Sequence, residues 1–131
     1  MIIVDSSVWI DFFNGQPSPA ALKLKDLLGV QVVATGDLML TEVLQGFREE
    51  RAFKQAKAIF ATVPILDIGG QHVAIRAAEN FRELRKQGVT IRKTIDCLIA
   101  TYCIEHGHTL LFADRDFLPF VEKLGLKVPQ C

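Results

Sequence analysis

The chain has 131 residues, half of them hydrophobic, with 15 Lys and Arg matching 15 Asp and Glu. That length and apolar content suit one folded domain with a substantial core, expected to span residues 1–131. The charge balance excludes a broadly cationic nucleic-acid binder, so any contact with nucleic acid must be local.

In chain order, Met1 to Val4 is a short unbroken apolar run of the kind that forms a central strand, and Asp5 ends it. Ser6 and Ser7 are expected to cap a helix whose side chains Val8, Trp9, Ile10, Phe12 and Phe13 are too many for one core-facing stripe. The surplus suggests an interface. Ser18-Pro19 has the cap-then-proline pattern of a second helix, which continues from Ala20 to Leu28 and stops at Gly29. Gln31 to Ala34 reads as strand two. Asp37 then suits the cap of a helix with apolar spacing Leu40, Val43, Leu44, Phe47, and a further helix follows through Ala52, Phe53, Ala56, Ile59 and Phe60.

Val63 to Ile68 reads as strand three and Gln71 to Gln87 as a helix, with Ala74, Ala77, Ala78, Phe81 and Leu84 expected on its buried face. Arg82, Arg85, Lys86, Arg92 and Lys93 form a basic cluster suited to holding phosphates. An apolar helix follows from Thr94, a plausible N-cap, to the stop signal Gly107. Thr109 to Ala113 reads as strand four, Phe117 to Leu124 as a short helix, and Leu126 to Val128 as an edge strand before Pro129. Strands alternating with helices predict an α/β fold: three layers, helices on both faces of a largely parallel sheet of about five strands.

No run approaches the roughly 20 apolar residues of a membrane helix, and no basic leader precedes the first apolar run. Three cysteines without a C-x-x-C read as reduced thiols, two of them, Cys97 and Cys103, buried in the apolar helix. A soluble, cytoplasmic protein is expected.

The informative residue of the apolar helix is Asp96. A first-turn carboxylate is favoured by the helix dipole, which by itself would explain it. Asp5 and Asp114, however, each follow an apolar run expected to be a strand, and ligands of parallel sheets bind beyond the carboxyl ends of the strands. If strands one and four are neighbours, Asp5 and Asp114 face one crevice, the Asp96 helix opens onto it, and Glu42 forms the opposite wall. Clustered carboxylates repel unless a cation neutralises them. An oxygen-only set suits Mg²⁺ or Mn²⁺, which lowers the pKa of a bound water and steadies a leaving oxygen, as phosphodiester hydrolysis requires.

The segments Ile3-Val4-Asp5-Ser6-Ser7, Thr41-Glu42-Val43-Leu44-Gln45-Gly46, Thr94-Ile95-Asp96-Cys97-Leu98-Ile99-Ala100 and Ala113-Asp114-Arg115-Asp116-Phe117 together resemble PIN-domain ribonucleases, most closely the VapC-type toxins. The resemblance runs from Met1 to about Val128. It implies that Asp5, Glu42, Asp96 and Asp114 hold Mg²⁺ or Mn²⁺, with Asp116 as an additional catalytic acid. It also implies RNA as substrate, a VapB-type antitoxin as partner, and a homodimer. The chain departs from the pattern at Phe112, where many relatives carry Thr, Ser or Asn.

Other patterns are weaker. His106-Gly107-His108 lacks the further ligands of a zinc site, Asp114-Arg115-Asp116 follows the wrong strand for a haloacid-dehalogenase-like phosphatase, and no glycine-rich nucleotide motif is present. The rival to a nuclease is a catalytically inactive PIN-like module that only binds RNA or protein. Four mutually repelling acids suit catalysis better.

Overall fold

The computed structural model describes residues 1–129; Cys131 lies outside them. The elements in order are β1 (Ile2–Val4), α1 (Ser6–Phe13), α2 (Pro19–Leu27), β2 (Val33–Gly36), α3 (Asp37–Gln45), α4 (Glu50–Phe60), β3 (Ile65–Leu66), α5 (Gln71–Lys86), α6 (Thr94–His106), β4 (Thr109–Leu111), a 3₁₀ turn (Arg115–Phe117) and α7 (Leu118–Leu124). The strands are all parallel and lie in the order β3-β2-β1-β4, with Ile3 opposite Ala34 on one side and Leu110 on the other.

Successive strand residues point to opposite faces, which divides the core in two. Ile3 and Leu110 pack with α5, α6, the 3₁₀ turn and α7 through Leu84, Ile99, Phe117 and Phe120. Val4 and Leu111 pack on the other face with Trp9, Leu24, Val43 and Phe60 from α1 to α4. This is the expected three-layer α/β/α arrangement.

The sheet has four strands among the described residues, not five. The Leu126 to Val128 segment contributes a single parallel bridge, Lys127 with Thr109, in which Leu110 N–H donates to the Lys127 carbonyl at 3.0 Å. Pro129 follows directly and has no N–H to extend the ladder. Strand two lies two residues later than expected. The N–H groups of Val30 and Gln31 turn back to the Leu27 carbonyl, and that closing turn of α2 delays the strand to Val33. The strand reaches Gly36, where an added Cβ would run into the Ile68 side chain.

Three helix starts also differ. Asp5, not Ser6 or Ser7, caps α1. Asp37 is the first residue of α3, whose cap is Gly36; its Oδ1 accepts from Leu38 N–H at 2.9 Å and Ile68 N–H at 3.1 Å. Lys93, not Thr94, precedes α6, and no side chain caps that helix. Ser18 caps α2 ahead of Pro19 and Gly107 ends α6 at φ 68°, both as expected.

The crowded α1 stripe resolves inward: Trp9 is buried, and Phe12 and Phe13 join Trp9, Phe47 and Phe60 in one aromatic cluster with centroids 4.8–6.1 Å apart. Ile10 stays 42% exposed. On α5 the buried seam is Val73, Ala77, Asn80 and Leu84, while Ala74 and Ala78 stand on an exposed lane beside it. Cys97 and Cys103 are buried free thiols, and burial pushes the Cys103 thiol up to about 12.

The buried Thr35 hydroxyl donates to the Val4 carbonyl at 2.8 Å, fastening β2 to the end of β1 just before Asp5. Thr35→Val removes that bond at nearly constant volume and is expected to cost about 1 kcal/mol. Urea unfolding measures it; an unchanged midpoint would show that the bond contributes nothing.

Candidate metal centre

Each acid reaches the crevice from a different local structure. Asp5 leaves β1 in extended conformation, and its Oδ2 accepts from Ser7 N–H at 3.1 Å and from the Ser7 hydroxyl at 2.6 Å. Asp114 follows β4 and caps the 3₁₀ turn, accepting from Asp116 N–H at 2.9 Å. The pairing of Val4 with Leu111 puts these two exits side by side, and Asp5 N–H donates to the Leu111 carbonyl at 2.9 Å. The Ser7 hydroxyl also accepts from Ala113 N–H at 3.2 Å, so one side chain ties the Asp5 carboxylate to the segment carrying Asp114.

Asp96 lies in the first turn of α6 and is only 7% exposed. Asp96, Asp114 and Asp116 each offer a carboxylate oxygen, all within 4.8 Å of one another. Asp5 and Glu42 adjoin this trio: the charges of both act on Asp96, and Ser6 Oγ donates to Glu42 Oε1 at 3.3 Å.

Two of the five sequence-derived cations meet these acids directly. Arg92 Nη2 bonds Asp116 Oδ1 and Oδ2 at 2.9 and 3.1 Å, and Lys93 Nζ bonds Asp114 Oδ2 at 3.3 Å. Both cations are exposed, so the pairs are weak in themselves and open to exchange. Arg82 and Arg85 instead rim a groove between α5 and α6, and Lys86 is exposed in the last turn of α5.

Phe112 is half-buried against the core, its ring 5.2 Å from that of Phe117, so it makes an apolar contact at the departing position. His106 Nδ1 lies 3.0 Å from the Tyr102 carbonyl and stacks on the Tyr102 ring at 4.2 Å. Such a contact suits a histidine in the last turn of a helix.

The PIN domain family model matches residues 2–121. The chain belongs to the PIN domain family. Among curated relatives, VapC ribonuclease Mb1587 of Mycobacterium bovis and ribonuclease VapC11 of Mycobacterium tuberculosis are each 29% identical over 119 residues, covering 89% of both chains. The fold is shared with VapBC2 from Rickettsia felis bound to a promoter DNA fragment (TM-score 0.74, 20% identity, 98% of each chain). It is shared too with VapC20 of Mycobacterium tuberculosis, described as a Sarcin-Ricin loop cleaving toxin (TM-score 0.68, 20% identity, 96% of each chain).

Electrostatics test whether the residues of this PIN domain fit a cation. Asp96 Oδ2 is buried without a hydrogen-bond partner. Burial first, then the Asp5 charge, pushes the Asp96 carboxyl up to about 6, against the opposing pull of Lys93. Burial also raises Asp5, with the Ser7 hydrogen bonds opposing and Glu42 adding to it. A buried, unpartnered carboxylate oxygen among other carboxylates is a poor solution without a cation and a good ligand with one. The residues fit a hard divalent ion.

Ser6 and Ser7 are the functional neighbours that sequence reasoning treated only as caps. For Ser7 the signal lay in its position, since a hydroxyl two residues after an acid at a helix start can bond that carboxylate; Ser6 meets Glu42 only through the fold.

A carboxyl whose folded pKa lies above its unfolded value favours folding at low pH and costs stability as pH rises toward the folded value. For Asp96 the window runs from 3.8 to about 6, and through it the fold loses stability as the carboxyl ionises. In chelator, Asp96→Asn is therefore expected to gain on wild type between pH 4 and 7. Denaturant titrations across that range check it; parallel stability curves would remove the argument for a frustrated carboxylate.

Proposed function

We propose that this chain is a metal-dependent endoribonuclease and the toxin of a toxin–antitoxin pair. The observation that carries the reading is the buried, unpartnered Asp96 Oδ2 beside Asp5, Glu42, Asp114 and Asp116 at the carboxyl end of a parallel sheet. The ribonuclease relatives support RNA as substrate.

In this reading Asp5, Glu42, Asp96 and Asp114 hold Mg²⁺ or Mn²⁺, and Asp116 assists the chemistry. The bound ion supplies an acidified water and charge for the leaving oxygen. The chain does the positioning. Ser7 holds the Asp5 carboxylate through two hydrogen bonds, and Ser6 turns Glu42 toward the crevice. Arg92 and Lys93, now paired with Asp116 and Asp114, can exchange those partners for a substrate phosphate, which brings negative charge to the same edge. Arg82, Arg85 and Lys86 extend the positive surface along α5.

The whole of residues 1–131 acts as one domain in this proposal. A VapB-type antitoxin is supported by neighbours solved as VapBC complexes, and an Arg or Lys from such a partner would suit the acidic crevice. No described helix is long and apolar enough to cross a membrane; a cytoplasmic place of action is part of the proposal. An inactive binding module has no use for a buried carboxylate that lacks a partner.

Mn²⁺ is expected to raise the melting temperature of wild type, because an ion that binds only the folded state shifts unfolding by mass action. Asp96→Asn should lose most of that gain and nearly all RNA cleavage while keeping its fold. The paired assays are melting curves with chelator and with Mn²⁺, and RNA-end sequencing after brief induction. A variant that cuts RNA like wild type would sink the assignment.

Self-association is part of the proposal: Ile10, Ile59, Ile75 and Leu118 leave apolar surface exposed, and closed twofold dimers are the common way to cover it. Sedimentation at micromolar concentration is expected to give a dimer mass; a monomer would remove this part.

A further inference from the structure

The groove between α5 and α6, of about 580 Å³, is lined among others by Ala74, Ala78, Phe81, Arg82, Arg85 and Thr94. We propose that it seats one unstacked base of single-stranded RNA beside the acidic crevice. This rests on the ribonuclease reading and adds a subsite to it.

Helix spacing builds the surface. Ala74, Ala78, Phe81, Arg82 and Arg85 recur at three- and four-residue intervals and share one lane of α5. The two alanines keep the wall beside Phe81 low, leaving a flat slot next to an aromatic ring. The Arg85 guanidinium lies over the Phe81 ring, 5.6 Å from its centroid, so a base stacks on the guanidinium or displaces it to reach the ring. Aromatic rings and guanidinium planes are the platforms on which proteins stack unpaired bases.

Charge selects the occupant. Arg76, Arg92 and Lys93 each meet a carboxylate. Arg82 and Arg85, one turn apart, form no ion pair with a described residue, so two like charges face the groove uncompensated. A polyanion relieves that repulsion. Position favours RNA over an acidic peptide: Thr94, which lines the groove, and Asp96 both lie in the first turn of α6, so groove and acids share one end of that helix and a strand held at the acids can reach the slot.

Ala78→Leu fills the slot while retaining every charge and a good helix former. The probe is a single-stranded RNA carrying 4-thiouridine, bound in chelator so that it is not cut, with affinity read by anisotropy and photo-crosslinks mapped by mass spectrometry. Wild type is expected to crosslink in the groove at or beside Phe81. Ala78→Leu should lose that crosslink and bind about tenfold more weakly, as expected for one lost stacking contact, with an unchanged salt slope. Arg82→Ala with Arg85→Ala should instead flatten the slope. If Ala78→Leu melts early, Phe81→Leu replaces it, since it removes the ring and keeps an apolar side chain.

Crosslinks only outside the groove, or wild-type affinity in the filled variant, overturn the proposal. So does a filled variant that loses self-association but keeps RNA affinity, because the groove then belongs to a second copy. Wild type that cuts no RNA with Mn²⁺ sinks the ribonuclease reading and this subsite with it. Cleavage without a groove crosslink sinks the subsite alone.

Discussion

Carboxylates gathered at one end of a sheet repel one another, and most of the local structure around them manages that repulsion. Asp5 and Asp114 leave adjacent parallel strands, so their proximity is built into the pairing of Val4 with Leu111. Each is then held by donors: Asp5 by Ser7, Asp114 by the Asp116 amide and Lys93. Asp96 has no such donor on Oδ2. The site is thus frustrated at one atom, and local rule-breaking of this kind is where a fold and its function part company.

The cations at the rim give a second answer to the same problem. Arg92 and Lys93 come from the loop that feeds α6, while Asp114 and Asp116 come from the turn after β4, and the ion pairs link the two. These pairs offset two of the five carboxylates and leave the crevice acidic. Exposed pairs are individually weak, so the arrangement holds the two segments in register yet yields to an incoming phosphate at small cost.

What was legible in the sequence was whatever one residue type announces alone. Strands β1 and β4 are unbroken apolar runs ended by acids, and their adjacency, only a condition in the sequence reading, is observed in the sheet. Asp96 was visible as an anomaly, an acid in an apolar helix. Features decided by tertiary juxtaposition were not visible. The Arg92 and Lys93 pairs join residues more than twenty positions apart. Strand β2 starts late because the Leu27 carbonyl captures the Gln31 amide, which a linear reading assigns to the ladder. On α5, alanines are neutral to burial, so periodicity could not tell the packed seam of Ala77 from the open lane of Ala74 and Ala78. The aromatic residues of α1 misled in the same way: their neighbours Phe47 and Phe60 come from elsewhere in the chain.

The strand order has a consequence for when the crevice comes into being. β1, at the start of the chain, is fixed on one side by β2 and on the other by β4, which begins at Thr109. Asp5 therefore waits for a partner strand synthesised long after it, across a loop closure whose entropy must be met before the contact forms. A growing polypeptide can assemble β1, β2 and the helices α1 to α4 against their own core while Asp114 has yet to emerge from the ribosome. Nascent chains are thereby left without an assembled acidic crevice until Asp114 has emerged, and a chain truncated before Thr109 can have none.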